Sequence, residues 1–93
     1  MNRKWFVYIA QCADGTYYTG ITNDLKKRMK AHNNKQGAKY TSQRLPVKLC
    51  YSMGGYSQSE ARKEEIILKD WNRDKKRKLI EGICKRSSRL RSK

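Results

Sequence analysis

The sequence predicts a small mixed α/β fold of the α+β kind. A three-stranded antiparallel sheet is flanked by helices in the order ββαβα, with a short C-terminal helix after them. Three observations carry this. Trp5–Gln11 is apolar on both alternations, as expected of a central strand covered on both faces, and "ADG" followed by Thr16–Ile21 reads as its hairpin partner. Residues 47–53 alternate apolar and polar side chains, the pattern of a half-buried strand. Two further stretches have helical spacing behind cap-type residues.

Element by element, Thr22 and Asn23 offer caps, and Leu25 and Met29 recur one helical turn apart, which predicts a helix over 24–33. Residues 34–44, "NKQGAKYTSQR", are polar with one glycine and read as an exposed loop. Val47, Leu49, Tyr51 and Met53 form the apolar face of the third strand, with Pro46 at its entry. "GGY" should break the chain, and Ser57 with Glu60 forms a capping box that opens a helix to about residue 71. "DKKRKLIEGI" fits a short helix around Leu79, Ile80 and Ile83. Residues 85–93, "KRSSRLRSK", have the composition of an unstructured basic tail, leaving one domain over residues 1–84. Trp5, Tyr17, Tyr51 and Trp71 are assigned to packing.

Charge narrows the function. The 93 residues hold 23 Lys and Arg against 8 acids, a formal net charge of +15. Residues 73–93 contribute ten basic and two acidic side chains, so the excess is shared by the whole chain. Such a field attracts polyanions: nucleic-acid binding is the leading reading, a soluble and merely basic protein the bland alternative, and an anionic membrane surface a distant third. No apolar run approaches the roughly 20 residues of a membrane span, and the start lacks the pattern of a signal peptide. Cys12, Cys50 and Cys84 are odd in number and far apart, which argues for free thiols, a cytoplasmic setting and no zinc site.

The first hairpin poses a question of register. A two-residue Asp14-Gly15 loop would place Tyr8 and Tyr18 on opposite faces. A three-residue loop, with Gly15 left-handed as a bulge, pairs Tyr8 with Gly20 and Ala10 with Tyr18 on one face. Composition leaves the two nearly even. Large rings opposite very small residues favour the second, because they leave a recess in the sheet surface. Arg28 and His32, four residues apart, then project from one edge of the first helix. On the second helix, Glu65 borders the seam of Ala61 and Leu68, while Glu64 lines up with Ile67 and Trp71. Periodicity does not choose between the two acids.

These residues resemble the GIY-YIG nucleases. "FVY" (Phe6–Tyr8) stands for the family's first triplet and "YTG" (Tyr18–Gly20) for its second. "LKKRMKAHN" is similar to the helix with the family's arginine and a histidine four residues on. "EARKEEIILKDW" is similar to the helix bearing its metal-binding glutamate, best matched by Glu65. The likeness spans roughly residues 4–80 and is nearest to small single-domain bacterial members and to the catalytic domain of structure-selective nucleases. Two positions depart from the pattern: the first triplet lacks its glycine, and Arg77 stands where many members carry an asparagine.

The resemblance implies a metal-dependent DNA endonuclease acting on branched, nicked or flapped repair intermediates. Its catalytic set would be Tyr8, Tyr18, Arg28, His32 and Glu65. Glu65 would hold one Mg²⁺ or Mn²⁺, Arg28 the scissile phosphate, and Tyr8 would act as general base through a lowered pKa. Lys26, Lys27, Lys30, Lys39, Tyr40, Arg44, Lys75, Lys76 and Arg77 are the expected nucleic-acid contacts. The expected partner is DNA, with RNA as the other choice, bound by a monomer that a partner protein could complete. The alternative function, favoured by the missing asparagine, is a non-catalytic nucleic-acid-binding module that keeps the nuclease fold.

Overall fold

The computed structural model describes residues 4–34, 41 and 43–82. In chain order the elements are β1 (Trp5–Gln11), β2 (Tyr17–Thr22), α1 (Leu25–Asn33), β3 (Lys48–Tyr56), α2 (Gln58–Lys69) and α3 (Arg73–Ile80). The sheet order is β2-β1-β3 with both pairings antiparallel, so the doubly apolar β1 is central as its pattern requires.

Each face of β1 has its own cover. Val7 and Ile9 pack with Tyr56, Ala61, Leu68 and Leu79 beneath α2 and α3. Tyr8, Ala10 and Cys12 pack with Val47, Leu25 and Met29 beneath α1. The four aromatics assigned to packing all border the first of these clusters. Cys12 and Cys50 are free thiols. Among the described residues no helix is long and apolar enough to cross a membrane.

The hairpin takes the longer loop. Cys12 N–H bonds to Thr16 O at 2.8 Å, Gly15 N–H bonds to Cys12 O at 2.9 Å, and Gly15 has φ +88°. Such a φ suits a residue without Cβ. The register is Tyr8↔Gly20 and Ala10↔Tyr18, which puts both tyrosines on the α1 face. The loop is clamped from outside, since Asp14 pairs with Arg44 at 3.1 Å and Arg73 donates to Gly15 O.

Several boundaries differ from expectation, each for a local reason. The cap of α1 is Asp24, whose Oδ1 accepts from Lys27 N–H at 3.0 Å, rather than Thr22 or Asn23. Strand β3 does not stop at "GGY". It runs on to Tyr56, because Gly54 and Gly55 together oppose Phe6 as a bulge between the pairs Trp5↔Tyr56 and Val7↔Met53. A second bulge at Cys50, between Ile9↔Tyr51 and Ala10↔Leu49, reverses the alternation midway. Val47 therefore packs beneath α1, Tyr51 and Met53 pack on the opposite face, and Leu49 stays exposed. The Ser57–Glu60 capping box forms as expected, but α2 stops at Lys69 because Asn72 caps α3. The side chain of Asn33 accepts from Val47 N–H at 2.8 Å and donates to Val47 O at 3.0 Å, which ties the end of α1 to the entry of β3. Of the loop expected over 34–44, most lies outside the described residues, yet Thr41 is fully buried. Ile83, Cys84 and the basic tail from residue 85 also lie outside them.

Candidate active site

The hairpin register and α1 together assemble four of the five candidate catalytic residues. Tyr8 is wholly buried and Tyr18 half-buried, with ring centroids 6.3 Å apart. The His32 ring lies edge-on to both, 6.0 Å from Tyr8 and 5.3 Å from Tyr18. Gly20 makes this possible: a Cβ there would stand 2.8 Å from the Tyr8 hydroxyl and 3.1 Å from Cε2 of Tyr18. The missing side chain is the room in which the two phenols meet.

Hydrogen bonding converges on the Tyr8 hydroxyl. Arg28 Nε donates to it at 3.3 Å, and His32 Nε2 lies 2.8 Å away. The other ring nitrogen, Nδ1, is 2.8 Å from Oγ1 of Thr41. Burial, helped by the positive charge of Arg28, lowers His32 from 6.5 to about 4, so the imidazole is neutral at pH 7. Burial alone would also lower Arg28, but its hydrogen bonds and charge interactions with Tyr8 and Tyr18 outweigh that and raise it. Tyr8 departs from expectation. Burial raises its pKa, with smaller contributions from Tyr18 and Glu65, and these together overcome Arg28. A pre-formed phenolate is therefore not a property of the free protein.

Glu65 stands apart from this group. It enters from α2, and no hydrogen bond or ion pair among the described residues joins it to Tyr8, Arg28 or His32. Its negative charge nevertheless acts on Tyr8. Glu64 and Glu65 are both buried, so burial does not separate the two acids. What distinguishes Glu65 is its surroundings. Its Oε1 is buried without a hydrogen-bond partner, and its ion pairs among the described residues are loose: Arg62 at 3.4 Å and Lys69 at 3.3 Å, both from largely exposed side chains. Charge-assisted bonds are normally about 2.7–2.9 Å. The other orphaned polar atom among the described residues is Thr19 Oγ1, on the β2 neighbour of Gly20. A buried carboxylate oxygen with no firm partner suits a hard divalent cation that keeps most of its waters. No cluster of three or more His, Cys, Asp or Glu that could hold a metal exists among the described residues, so Glu65 would hold such an ion with fewer than three side chains of these kinds.

A model of the GIY-YIG catalytic domain matches residues 4–78. This chain belongs to the GIY-YIG family. The UPF0213 protein of Staphylococcus saprophyticus is 49% identical over 77 residues, covering 83% of this chain and 94% of the relative. That of Streptococcus pneumoniae is 44% identical over 80 residues, covering 86% and 81%. The solution structure of the Bacillus halodurans UPF0213 protein superposes with a TM-score of 0.53 at 40% identity, covering 83% of this chain and 82% of that one. An E. faecalis protein gives 0.56 at 32% identity, covering 89% and 88%. GIY-YIG membership supports a nuclease-type function with nucleic acid as partner, in a family generally dependent on divalent metal.

The remaining candidates fall into distinct settings. Lys26, Lys27 and Lys30 are exposed on α1 without ion-pair partners among the described residues, and Lys27 lines a shallow cleft with Arg28, Thr22 and Asn23. Arg44 is engaged with Asp14. Lys75 lies 4.2 Å over the Trp71 ring. Lys76 is lowered by burial and by Lys69 nearby. Arg77 is bracketed by Asp74 and Glu81 at 2.9 Å each. Asn72, the nearest asparagine to the family's position, is spent as the α3 cap. Lys39 and Tyr40 lie outside the described residues. Thr41 was missed in the sequence, where one threonine in a polar loop carries no periodic signal.

Proposed function

We propose that this GIY-YIG chain is a divalent-metal-dependent DNA endonuclease that hydrolyses phosphodiester bonds in branched, nicked or flapped repair and recombination intermediates. The observation that carries the reading is the Tyr8 hydroxyl held between Arg28 and His32 over Gly20. Surface packing alone gives no reason to bury a phenol, a guanidinium contact and the sole histidine together.

Arg28 binds the scissile phosphate and offsets the charge that develops on it. Tyr18, the less buried phenol, meets the substrate first and helps orient the attacking water. Tyr8 becomes available when Arg28 turns from its hydroxyl to the phosphate. It takes a proton from the water while passing its own to His32 Nε2, so no free phenolate has to accumulate. Neutralising Arg28 also removes the second of the two causes that keep His32 uncharged. Glu65 would hold one Mg²⁺ or Mn²⁺, which when bound supplies positive charge at the phosphate and the leaving oxygen. Lys26, Lys27 and Lys30 contact the nucleic-acid backbone, and the chain acts as a cytoplasmic monomer.

A second reading, a nucleic-acid-binding module without turnover, is favoured by Asn72 and Arg77, both committed to holding α3. Incubating the protein with flap, nicked and linear DNA, in Mg²⁺ or EDTA, separates the two. Metal-dependent cuts should appear with wild type and vanish with Glu65→Gln. Tyr8→Phe should lose about 10²- to 10⁴-fold in rate, the range for general acid–base catalysis, while binding persists. A clean wild-type preparation that binds but never cuts would sink the enzyme in favour of the module.

A further inference from the structure

The Tyr8–His32 contact has a partner behind it that determines what it can do. Tyr8 is fully buried, and its hydroxyl has two neighbours, Arg28 Nε and His32 Nε2. Arginine only donates, so the hydroxyl accepts from Arg28. Its own proton then has one buried acceptor within reach among the described residues, the lone pair of His32 Nε2. A neutral imidazole with its lone pair on Nε2 carries its hydrogen on Nδ1. That hydrogen points at Thr41 Oγ1, 2.8 Å away, with both side chains at 0% exposure. The satisfied arrangement is therefore a directed chain: Tyr8 O–H donates to Nε2, and Nδ1–H donates to Thr41.

The opposite tautomer places Nε2–H against a hydroxyl that already accepts from Arg28. It would leave the Tyr8 proton without a buried acceptor, at the cost of an unmade hydrogen bond. We propose that Thr41 is a positioning residue that fixes His32 as the Nδ1–H tautomer, so that Nε2 stands ready to receive the Tyr8 proton. This rests on the nuclease reading for its catalytic meaning, but the tautomer itself does not. Thr41 is in turn held in place. Its carbonyl accepts from Arg44 N–H at 2.9 Å, and Arg44 is fastened to the hairpin loop through Asp14 and through Ala13 N–H to its own carbonyl at 2.9 Å. The loop that sets the register of Tyr8 thus also anchors the residue that sets the proton on His32.

His32 is the single histidine of the chain, which makes its nitrogen spectrum unambiguous. The test is a long-range ¹H–¹⁵N correlation of the imidazole at pH 7, on wild type, Thr41→Val and Thr41→Ser, beside cleavage of a flap DNA in Mg²⁺. Wild type should carry Nδ1–H. Thr41→Val keeps the volume but removes the acceptor, and should shift His32 towards Nε2–H. It should also lower kcat by about 10- to 100-fold with KM held, by analogy with the loss when the hydrogen-bond partner behind a metal-ligating histidine is removed. Thr41→Ser should restore both. Nε2–H in the wild type would overturn the proposal, and needs no variant to fold. Retention of Nδ1–H in a folded Thr41→Val would overturn it equally. The expected tautomers with no cleavage by any of the three proteins would uphold the assignment and sink the nuclease reading alone.

Discussion

With its imidazole sealed between Tyr8 and Thr41, His32 gives the fold a defined response to acid. Its pKa is lowered to about 4, against 6.5 when exposed, so between these values the unfolded chain binds a proton that the folded chain refuses. Stability contributed by the neutral ring is full above about pH 6.5 and is lost as pH falls towards 4, a gap of roughly 3 kcal/mol. Melting temperature should therefore drop across that window, and the His32 ring protons should not titrate above about pH 5 while the chain is folded. A ring titrating near 6.5 in the native protein would refute the buried network. At this scale the meeting of Tyr8, Tyr18, Arg28 and His32 was legible in the sequence, because the longer hairpin loop and the four-residue spacing on α1 imply it. Their protonation was not. In the metal-free protein Tyr8 lies above the usual phenol range rather than below it, because burial depends on what covers the hydroxyl, and no spacing of residues reports that.

Among the elements, the β1–β2 hairpin decides whether there is a site. Gly15 supplies the left-handed turn that brings both tyrosines to one face, and Gly20 supplies the space between them. A Gly20→Ala substitution should cost about 1–3 kcal/mol by overpacking and displace the Tyr8 hydroxyl from Arg28 and His32. The checks are chemical denaturation and the same imidazole spectrum; an unperturbed His32 in Gly20→Ala would mean that Gly20 is not the cause of the close approach. The hairpin was readable because bulk opposite smallness left a mark in composition. Strand β3 was only half readable. Its pattern of 47, 49, 51 and 53 implies one face, yet the extra residue at Cys50 sends Val47 to the other side. A bulge is chosen by the partner strand, so a strand read alone does not disclose it.

For the molecule as a whole, a net charge of +15 predicts nucleic-acid binding that is steeply salt-dependent. Affinity for DNA should fall on the order of 10³-fold between about 50 and 200 mM salt if roughly six phosphates are neutralised. Replacing Lys26, Lys27 and Lys30 together should flatten the log–log slope by about 0.9 for each phosphate that is no longer neutralised; an unchanged slope would move the interface off α1. The sign of the charge was plain in the sequence. Its distribution was not, since Arg44 and Arg77 are paired with acids while the α1 lysines have no such pairing among the described residues. The clamp on Gly15 has a further consequence, for the order of assembly. Arg73 reaches back 58 positions to the Gly15 carbonyl and lies 4.8 Å over the Tyr17 ring. Tyr8, Tyr18, Arg28 and His32 are all synthesised early, but the bonds that lock their loop arrive with Arg44 and Arg73. Pairings so distant in sequence form late in folding. Until Arg44 and α3 are in place, the register rests on Gly15 and on the loop's own bonds among Cys12, Gly15 and Thr16.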